Sequence, residues 1–431
     1  MREKVIAVDC LARVEGEGAL FLRFEGDEVR EVELRIFEPP RFFEAFLRGR
    51  SCLEAPDITA RICGICPVAY QMSACAAIES ALGLSLPPEL LALRRLLYCG
   101  EWIESHGLHM VMLHAPDFLG YPDAITMARD HGQQVRDGLR VKKAGNAIVS
   151  LLGGREIHPI NVKIGGFYSL PQRDDLLRLA DELEACRALA EGLVRWMASF
   201  EMPALQRDYS FVALRPAEVY PFIEGPIGRS TGASIPVEAW HEHFAEEHVA
   251  HSNALHARTR EGGNYLTGPL ARFALNFERL PPGLRALCAE LGLRPPVQNP
   301  FRSLLVRGVE LLFALEEGAR LARGVALPRE PAVPVRMRAG VGYGATEAPR
   351  GLLMHRYALD EQGIILDATI VPPTSQNQLC IEEDLRALGP ALLRMDDAAA
   401  TARAEQAIRN YDPCISCATH FLTLRKEPWT G

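Results

Sequence analysis

Apolar and polar positions alternate at the start of the chain and then change to helical spacing. Residues 5–8, 20–24 and 29–37 read as short strands separated by glycine and acidic turns. Residues 41–50 read as helix. Pro67 suits the first turn of a helix that runs to about Leu82. From Pro87, the positions Leu90, Leu93, Leu96, Leu97, Trp102 and Ile103 predict a long buried helix. It continues through His106, His109 and His114 to Pro116 and Asp117. A helix over 136–152 is stopped by Gly153 and Gly154, and an amphipathic helix covers about 172–200. Turn residues interrupt 203–270 too often for an assignment. Helices return near 283–292 and 299–324, strands over 336–372, and helix over 381–410. The class is mainly α with a β-rich fringe (α+β), arranged as one large unit.

Composition narrows the picture. The 431 residues are 48% hydrophobic and 24% charged, enough for a deep core. A net charge of −8 without a basic run argues against a nucleic-acid partner. Charges at Arg2, Glu3 and Lys4 interrupt what a signal peptide would keep apolar, and no apolar run suits a membrane span. The expectation is a cytoplasmic protein. Its 11 cysteines are read as ligands and buried thiols, not disulfides.

Two stretches concentrate the chemistry: Arg61-Ile62-Cys63-Gly64-Ile65-Cys66-Pro67 and Asp412-Pro413-Cys414-Ile415-Ser416-Cys417-Ala418-Thr419-His420. Each Cys-x-x-Cys turns two sulfurs towards one spot, and together they supply four thiolates for one metal. Nearly the whole chain separates the pairs, so such a metal must lie between the chain's two ends. Zinc ribbons and iron–sulfur motifs keep their ligands closer in sequence. The residues alone leave structural zinc and a catalytic metal both open.

The two motifs together resemble the large, catalytic subunit of nickel–iron hydrogenases, and the likeness runs over essentially the full length. It is nearest to the cytoplasmic, NAD(P)-linked, bidirectional branch that includes sulfhydrogenases. The resemblance implies that all four cysteines bind nickel, with Cys63 and Cys414 terminal. Cys66 and Cys417 would bridge to an iron carrying carbon monoxide and cyanide. It implies a proton-relay acid at Glu15, near Cys417, and an arginine, Arg350, over the metals, held by the acids Asp117 and Asp412. The backbone at Pro349 and Arg350 and the Thr374 hydroxyl would partner the cyanides. Glu44, the Ile370 carbonyl and His420 would hold magnesium. Residues 1–420 then form the catalytic domain, and residues 421–431 a tail that a maturation protease removes.

The implied reaction is reversible dihydrogen cleavage, with electrons leaving through an iron–sulfur small subunit and then flavin- and NAD(P)-binding diaphorase subunits. Two positions depart from the family pattern: Tyr70 and Glu17 stand where histidines are common. The Gly340-Val341-Gly342-Tyr343-Gly344-Ala345 stretch lacks the helix and distal acid of a dinucleotide loop and reads as close-packed backbone. His106, His109 and His114 are not expected to bind metal, and His158 is expected to support the site. Cys10, Cys52, Cys75, Cys99, Cys186, Cys288 and Cys380 read as small buried apolar groups. A hydrogen sensor on the same fold, a quinone-module relative and a zinc protein are the competing readings. The quinone-module lineage has lost the four cysteines that this chain keeps.

Overall fold

A computed structural model describes residues 3–419. The chain opens with an antiparallel sheet of β1 (Glu3–Val8), β2 (Gly18–Glu25) and β3 (Glu28–Ile36). Alternation in β2 puts Leu20, Leu22 and Phe24 on the buried face. Two helices follow the first cysteine motif: α1 (Pro67–Leu82) and α2 (Pro88–Leu108). A wide π-helical turn, His109–His114, carries the α2 axis on to the short helix Ala115–Leu119.

Three more long helices are α3 (Gly132–Gly153), α4 (Arg173–Ala198) and α5 (Ser303–Gly324). α2 packs along α3 and α5, and α4 packs along the same two, so the four close into a bundle. α2 and α5 are buried along most of their length.

The unassigned stretch contains a hairpin of β4 (Phe244–Val249) and β5 (Ser252–Thr259). A second antiparallel sheet then forms from β6 (Gly340–Ala348), β7 (Gly351–Leu359) and β8 (Ile365–Val371). The C-terminal helix expected from residue 381 is two helices, α6 (Pro373–Leu392) and α7 (Asp397–Arg409). α6 begins earlier because Pro373 fits its first turn, while Gln376, Asn377 and Gln378 find buried polar partners that no apolar period announces. Six of the seven remaining cysteines are buried as expected; Cys10 is exposed in the turn after β1.

The glycine-rich stretch is β6, lying against α1. Gly340, Gly342 and Gly344 share one face, and that face meets helix backbone directly. A Cβ on Gly344 would sit 2.7 Å from the Ser73 carbonyl oxygen, and one on Gly342 would overlap the Ala77 carbonyl and the Ala81 amide. The small residues Ala69, Ser73, Ala77 and Ala81 along α1 permit the approach. α1 is thereby held at a fixed depth, with the first cysteine pair at its start.

A buried polar knot joins the bundle to this sheet. Arg272 pairs with Glu310 on α5 (2.6 Å) and Glu347 on β6 (3.1 Å). Its guanidinium also donates to the carbonyls of Ala348 (2.8 Å) and Pro349 (3.0 Å) and lies over the Trp102 ring. Glu310 receives the Tyr220 hydroxyl (2.8 Å) and faces His106 Nε2 (3.1 Å). Each charge in the knot is met by partners, as burial demands.

Two expected outcomes follow. Gly342→Ala must push β6 off α1, costing about 1–3 kcal/mol; a urea midpoint on the purified chain and its nickel content should both fall. Burial lowers His106 to about 4 despite the Glu310 contact, against about 6.5 in an unfolded chain. Above 6.5 neither state carries the proton and the contribution is complete. As pH falls towards 4 only the unfolded chain takes it up, so roughly 3 kcal/mol is lost. The fall in denaturation midpoint between pH 7 and pH 4.5 should be smaller for His106→Gln.

Candidate metal centre

The first cysteine pair is shaped by a tight run of backbone. A 3-10 turn, Ala60–Ile62, delivers Cys63 in an extended conformation. The Ile65 and Cys66 amides then donate to the Cys63 sulfur at 3.3 and 3.1 Å. Pro67 opens α1. The carboxylate of Glu101, reaching from α2, receives the Val68 (2.6 Å) and Ala69 (3.1 Å) amides. These are among the first amides of α1, which have no partner within the helix.

The second pair sits where the chain turns after α7. Asp412 adopts φ 51, Cys414 is extended, and Ile415–Ala418 make one helical turn. The Cys414 amide donates to Thr374 Oγ1 at 3.0 Å. The N-terminal segment then pairs alongside: the Ile415 amide donates to the Glu15 carbonyl (2.9 Å) and the Ser416 amide to Glu15 Oε2 (3.1 Å). Gly16, at φ 86, makes this possible, since a Cβ there would lie 2.8 Å from Ile415 Cβ. Arg41 links both motifs by donating to the carbonyls of Ile62 and Ser416.

The four sulfurs converge. Cys63 and Cys414 lie 3.5 Å apart, Cys66 and Cys417 3.8 Å apart, and all four fall within 4.8 Å of one another. A disulfide needs about 2.05 Å. Thiolates bound to one metal at about 2.3 Å in a tetrahedral arrangement stand roughly 3.8 Å apart. All four cysteines are buried. Burial raises the Cys63 thiol, but hydrogen bonds from Cys414, Cys417 and Cys66 and the Arg350 charge outweigh it and hold Cys63 well below its ordinary value. Cys414 is pushed up by burial and by thiol neighbours sharing the same charge. A cation would relieve this crowding by taking all four as thiolates. The donor set is soft and preassembled, which suits nickel and iron.

Arg350 is fully buried above these sulfurs. Its Nε donates to the Asp412 carbonyl (2.6 Å) and its Nη2 to Asp412 Oδ1 (3.1 Å). Nη1 has no hydrogen-bond partner. Burial opposes the charge, but Asp412 and the sulfurs of Cys414, Cys66 and Cys63 outweigh it. The carbonyls just before Arg350 are those that Arg272 holds.

Two expected placements change. Glu15 was expected beside Cys417; its carboxylate instead accepts from the Cys414 thiol at 3.1 Å. The parallel pairing of Glu15 with Cys414 fixes that choice. Burial first, and charge on Cys63 second, raise its pKa. Asp117 was expected to help hold Arg350. It receives both Nε and Nη2 of Arg409 (2.8 Å each) and is also paired with Arg13. It therefore braces the start of the C-terminal turn, leaving Asp412 to hold Arg350.

Glu44 accepts from the Ile370 amide at 2.7 Å, which brings two of the three expected magnesium residues together. His420 lies outside the described residues. Burial lifts Glu44 to about 7. Glu246 on β4, lifted to about 8 by burial and then by the Glu44 charge, is a neighbouring carboxylate that sequence reading missed. Tyr70 is buried against the sulfurs, with burial and then charge on Cys417 raising its hydroxyl. Glu17 donates its amide to Glu38 at 3.3 Å, on the outer side of the same turn. His158 supports the first motif through Nδ1 and the Ala60 carbonyl (2.7 Å). His106 Nε2 faces Glu310, His109 Nε2 faces the Arg409 carbonyl, and the buried His114 ring lies 5.0 Å from that of His109.

Glu101, Arg41 and Arg272 were also missed. Each is a lone charge in a stretch read for other reasons; for Glu101, an acid inside an otherwise apolar helical run was the available signal.

Comparison with known proteins agrees with this geometry. The family described as nickel-dependent hydrogenase matches residues 41–137 and 325–420. Sulfhydrogenase 1 subunit alpha of Pyrococcus furiosus is 34% identical, covering 97% of this chain and 98% of that one. Sulfhydrogenase 2 subunit alpha of the same organism is 33% identical, covering 97% and 100%. A crystal structure of an NAD+-reducing [NiFe]-hydrogenase in the H2-reduced state superposes with a TM-score of 0.88 at 26% identity, over 97% of this chain and 100% of that one. With four buried thiols from its two ends meeting at one point, the chain belongs to the nickel-dependent hydrogenase large-subunit family.

Proposed function

We propose that this chain cleaves and forms dihydrogen reversibly at a nickel–iron group held by Cys63, Cys66, Cys414 and Cys417. The convergence of the four sulfurs carries the reading. When bound, that group supplies the redox chemistry that polarises dihydrogen. By the family pattern Cys63 and Cys414 would hold nickel alone, while Cys66 and Cys417 would also hold an iron that carries carbon monoxide and cyanide. Thr374 Oγ1 accepts the Cys414 amide and so keeps its hydroxyl hydrogen for a cyanide nitrogen, and the unpartnered Arg350 Nη1 is a second donor suited to a buried anion. Pro349 has no N–H and its carbonyl is taken by Arg272, so it offers a cyanide no donor.

The protein's own task is the proton. Glu15 Oε2 lies within hydrogen-bond reach of the Cys414 sulfur, so it is the acid that receives a proton there and passes it outward. The Ser416 amide fixes the carboxylate, and Glu38, hydrogen-bonded to the Ser416 hydroxyl (2.9 Å) and the Glu17 amide, is the next acceptor towards the surface. Arg350, held by Asp412, keeps a buried positive charge beside the sulfurs. Asp117 acts through Arg409 and Arg13 to hold the two chain ends in place.

Glu44, the Ile370 carbonyl and His420 would hold magnesium by the family pattern, and such a cation would keep Glu44 ionised despite its burial. Electrons leave through an iron–sulfur small subunit. Flavin- and NAD(P)-binding subunits beyond it suit the likeness to an NAD+-reducing enzyme. Residues 421–431 are the segment a maturation protease would remove. No helix among the described residues is long and apolar enough to cross a membrane.

Metal analysis with infrared spectroscopy of the matured complex tests the centre: nickel and iron in equal amount, with carbonyl and cyanide bands, are expected. Zinc alone would sink it. Glu15→Gln keeps the hydrogen bond but cannot carry the proton. It should retain nickel and iron and the infrared bands, while hydrogen–deuterium exchange falls by about 100-fold, the scale of a positioned acid–base group. Unchanged exchange would remove Glu15 from the route.

A further inference from the structure

Away from the cysteines, one other group of side chains among the described residues is close enough to hold an ion: His251, His256 and Glu382. His251 stands in the turn of the β4–β5 hairpin, His256 lies on β5, and Glu382 lies on α6, which packs against β5. Their ligand atoms lie within 4.8 Å of one another, and His251 Nε2 is 2.9 Å from Glu382 Oε1. Ligands around one tetrahedral cation at about 2.0–2.2 Å stand roughly 3.3 Å apart, so small rotations complete the arrangement.

A plain ion pair between His251 and Glu382 accounts for two of the three. It leaves His256 without explanation. That side chain is fully buried; the Gln378 side chain lies close enough to favour its protonated form slightly, but neither ring nitrogen meets a partner in hydrogen-bonding geometry. A buried imidazole left unsatisfied is costly. Burial, and then the neighbouring His251, lower its pKa to about 4, so at neutral pH the ring keeps the lone pair that a metal needs. Glu382 is itself raised by burial, and the nearby Glu33 adds to this; the Leu34 amide (2.9 Å) and His251 offset only part. A cation would answer both imbalances.

We propose that His251, His256 and Glu382 form a second metal site, for a divalent transition cation such as Zn2+, that clips the β4–β5 hairpin to α6. Two imidazoles and one carboxylate suit such an ion, and three protein ligands leave a position for water. His251 and Glu382 are half-buried, which gives the ion a way in. The site is structural. α6 begins beside Thr374, the acceptor of the Cys414 amide, and Ala254 on β5 packs against Ile415 and Ala418. A clip here would therefore steady the C-terminal motif from behind, without touching the sulfurs.

The test uses the matured complex, in which nickel and iron fill the cysteines, freed of loose metal by chelator and desalting. Zn2+ is the probe, read as zinc per chain by mass spectrometry beside nickel and iron in the same samples. The parent should take up one more equivalent of zinc than Glu382→Gln and His251→Gln, both partly exposed positions that spare the core. Affinity in these variants should fall by more than the roughly 10–100-fold typical of losing a supporting group. Co2+ in place of Zn2+ should give tetrahedral absorption bands in the parent only, and zinc should raise the parent's melting temperature and leave the variants' unchanged. Equal zinc uptake by parent and variants, or none by the parent, overturns the proposal. The nickel and iron values report separately on the cysteine centre.

Discussion

Four buried sulfurs must be brought within reach of one metal position by segments that lie almost a chain length apart. Thiolates in an apolar core repel one another, and the weak S–H···S contacts between the two pairs are all that the sulfurs themselves offer before a metal arrives. The backbone therefore does it. Glu15 pairs with the strand-like start of the second motif, Arg41 donates to carbonyls of both motifs, and Glu101 anchors the helix that begins at Pro67. Each is a polar contact to main chain, so the positions of the sulfurs do not depend on their own packing.

Seen this way, much of the molecule serves depth and angle. The glycine face of β6 sets how closely α1 approaches the sheet. The Arg272 knot fixes Ala348 and Pro349, and with them the arginine above the cluster. Among the described residues, four other than glycine adopt left-handed backbone: Arg13, Phe42, His158 and Asp412. Arg13 and Asp412 flank the Glu15–Cys414 pairing, and the other two sit beside Arg41 and below the first motif. Such conformations are uncommon for these residues and persist where surrounding contacts impose them.

What the sequence made legible follows from range. The long helices carry their own period, and the cysteine pairs carry their own spacing, so both were readable. The family resemblance named Arg350 and Asp412 as partners, and they are hydrogen-bonded. It set Glu15 beside the wrong sulfur, because which of two cysteines a carboxylate meets depends on a strand register formed only after folding. Asp117 was misplaced for a similar reason: its partners Arg13 and Arg409 are remote in sequence. The β4–β5 hairpin was invisible, since residues 203–270 form small sheets whose faces are set by neighbours and not by a period.

The wide turn at His109–His114 has one more consequence. A π-helical turn holds an extra residue, and each residue rotates a helix by about 100°. Everything beyond the turn is therefore out of phase with α2. Asp117, which pairs with Arg409 and Arg13, lies beyond that offset. Excising one residue there, though far from any sulfur, would restore an ordinary helix and swing the brace away, unfastening the chain's last turn from its first.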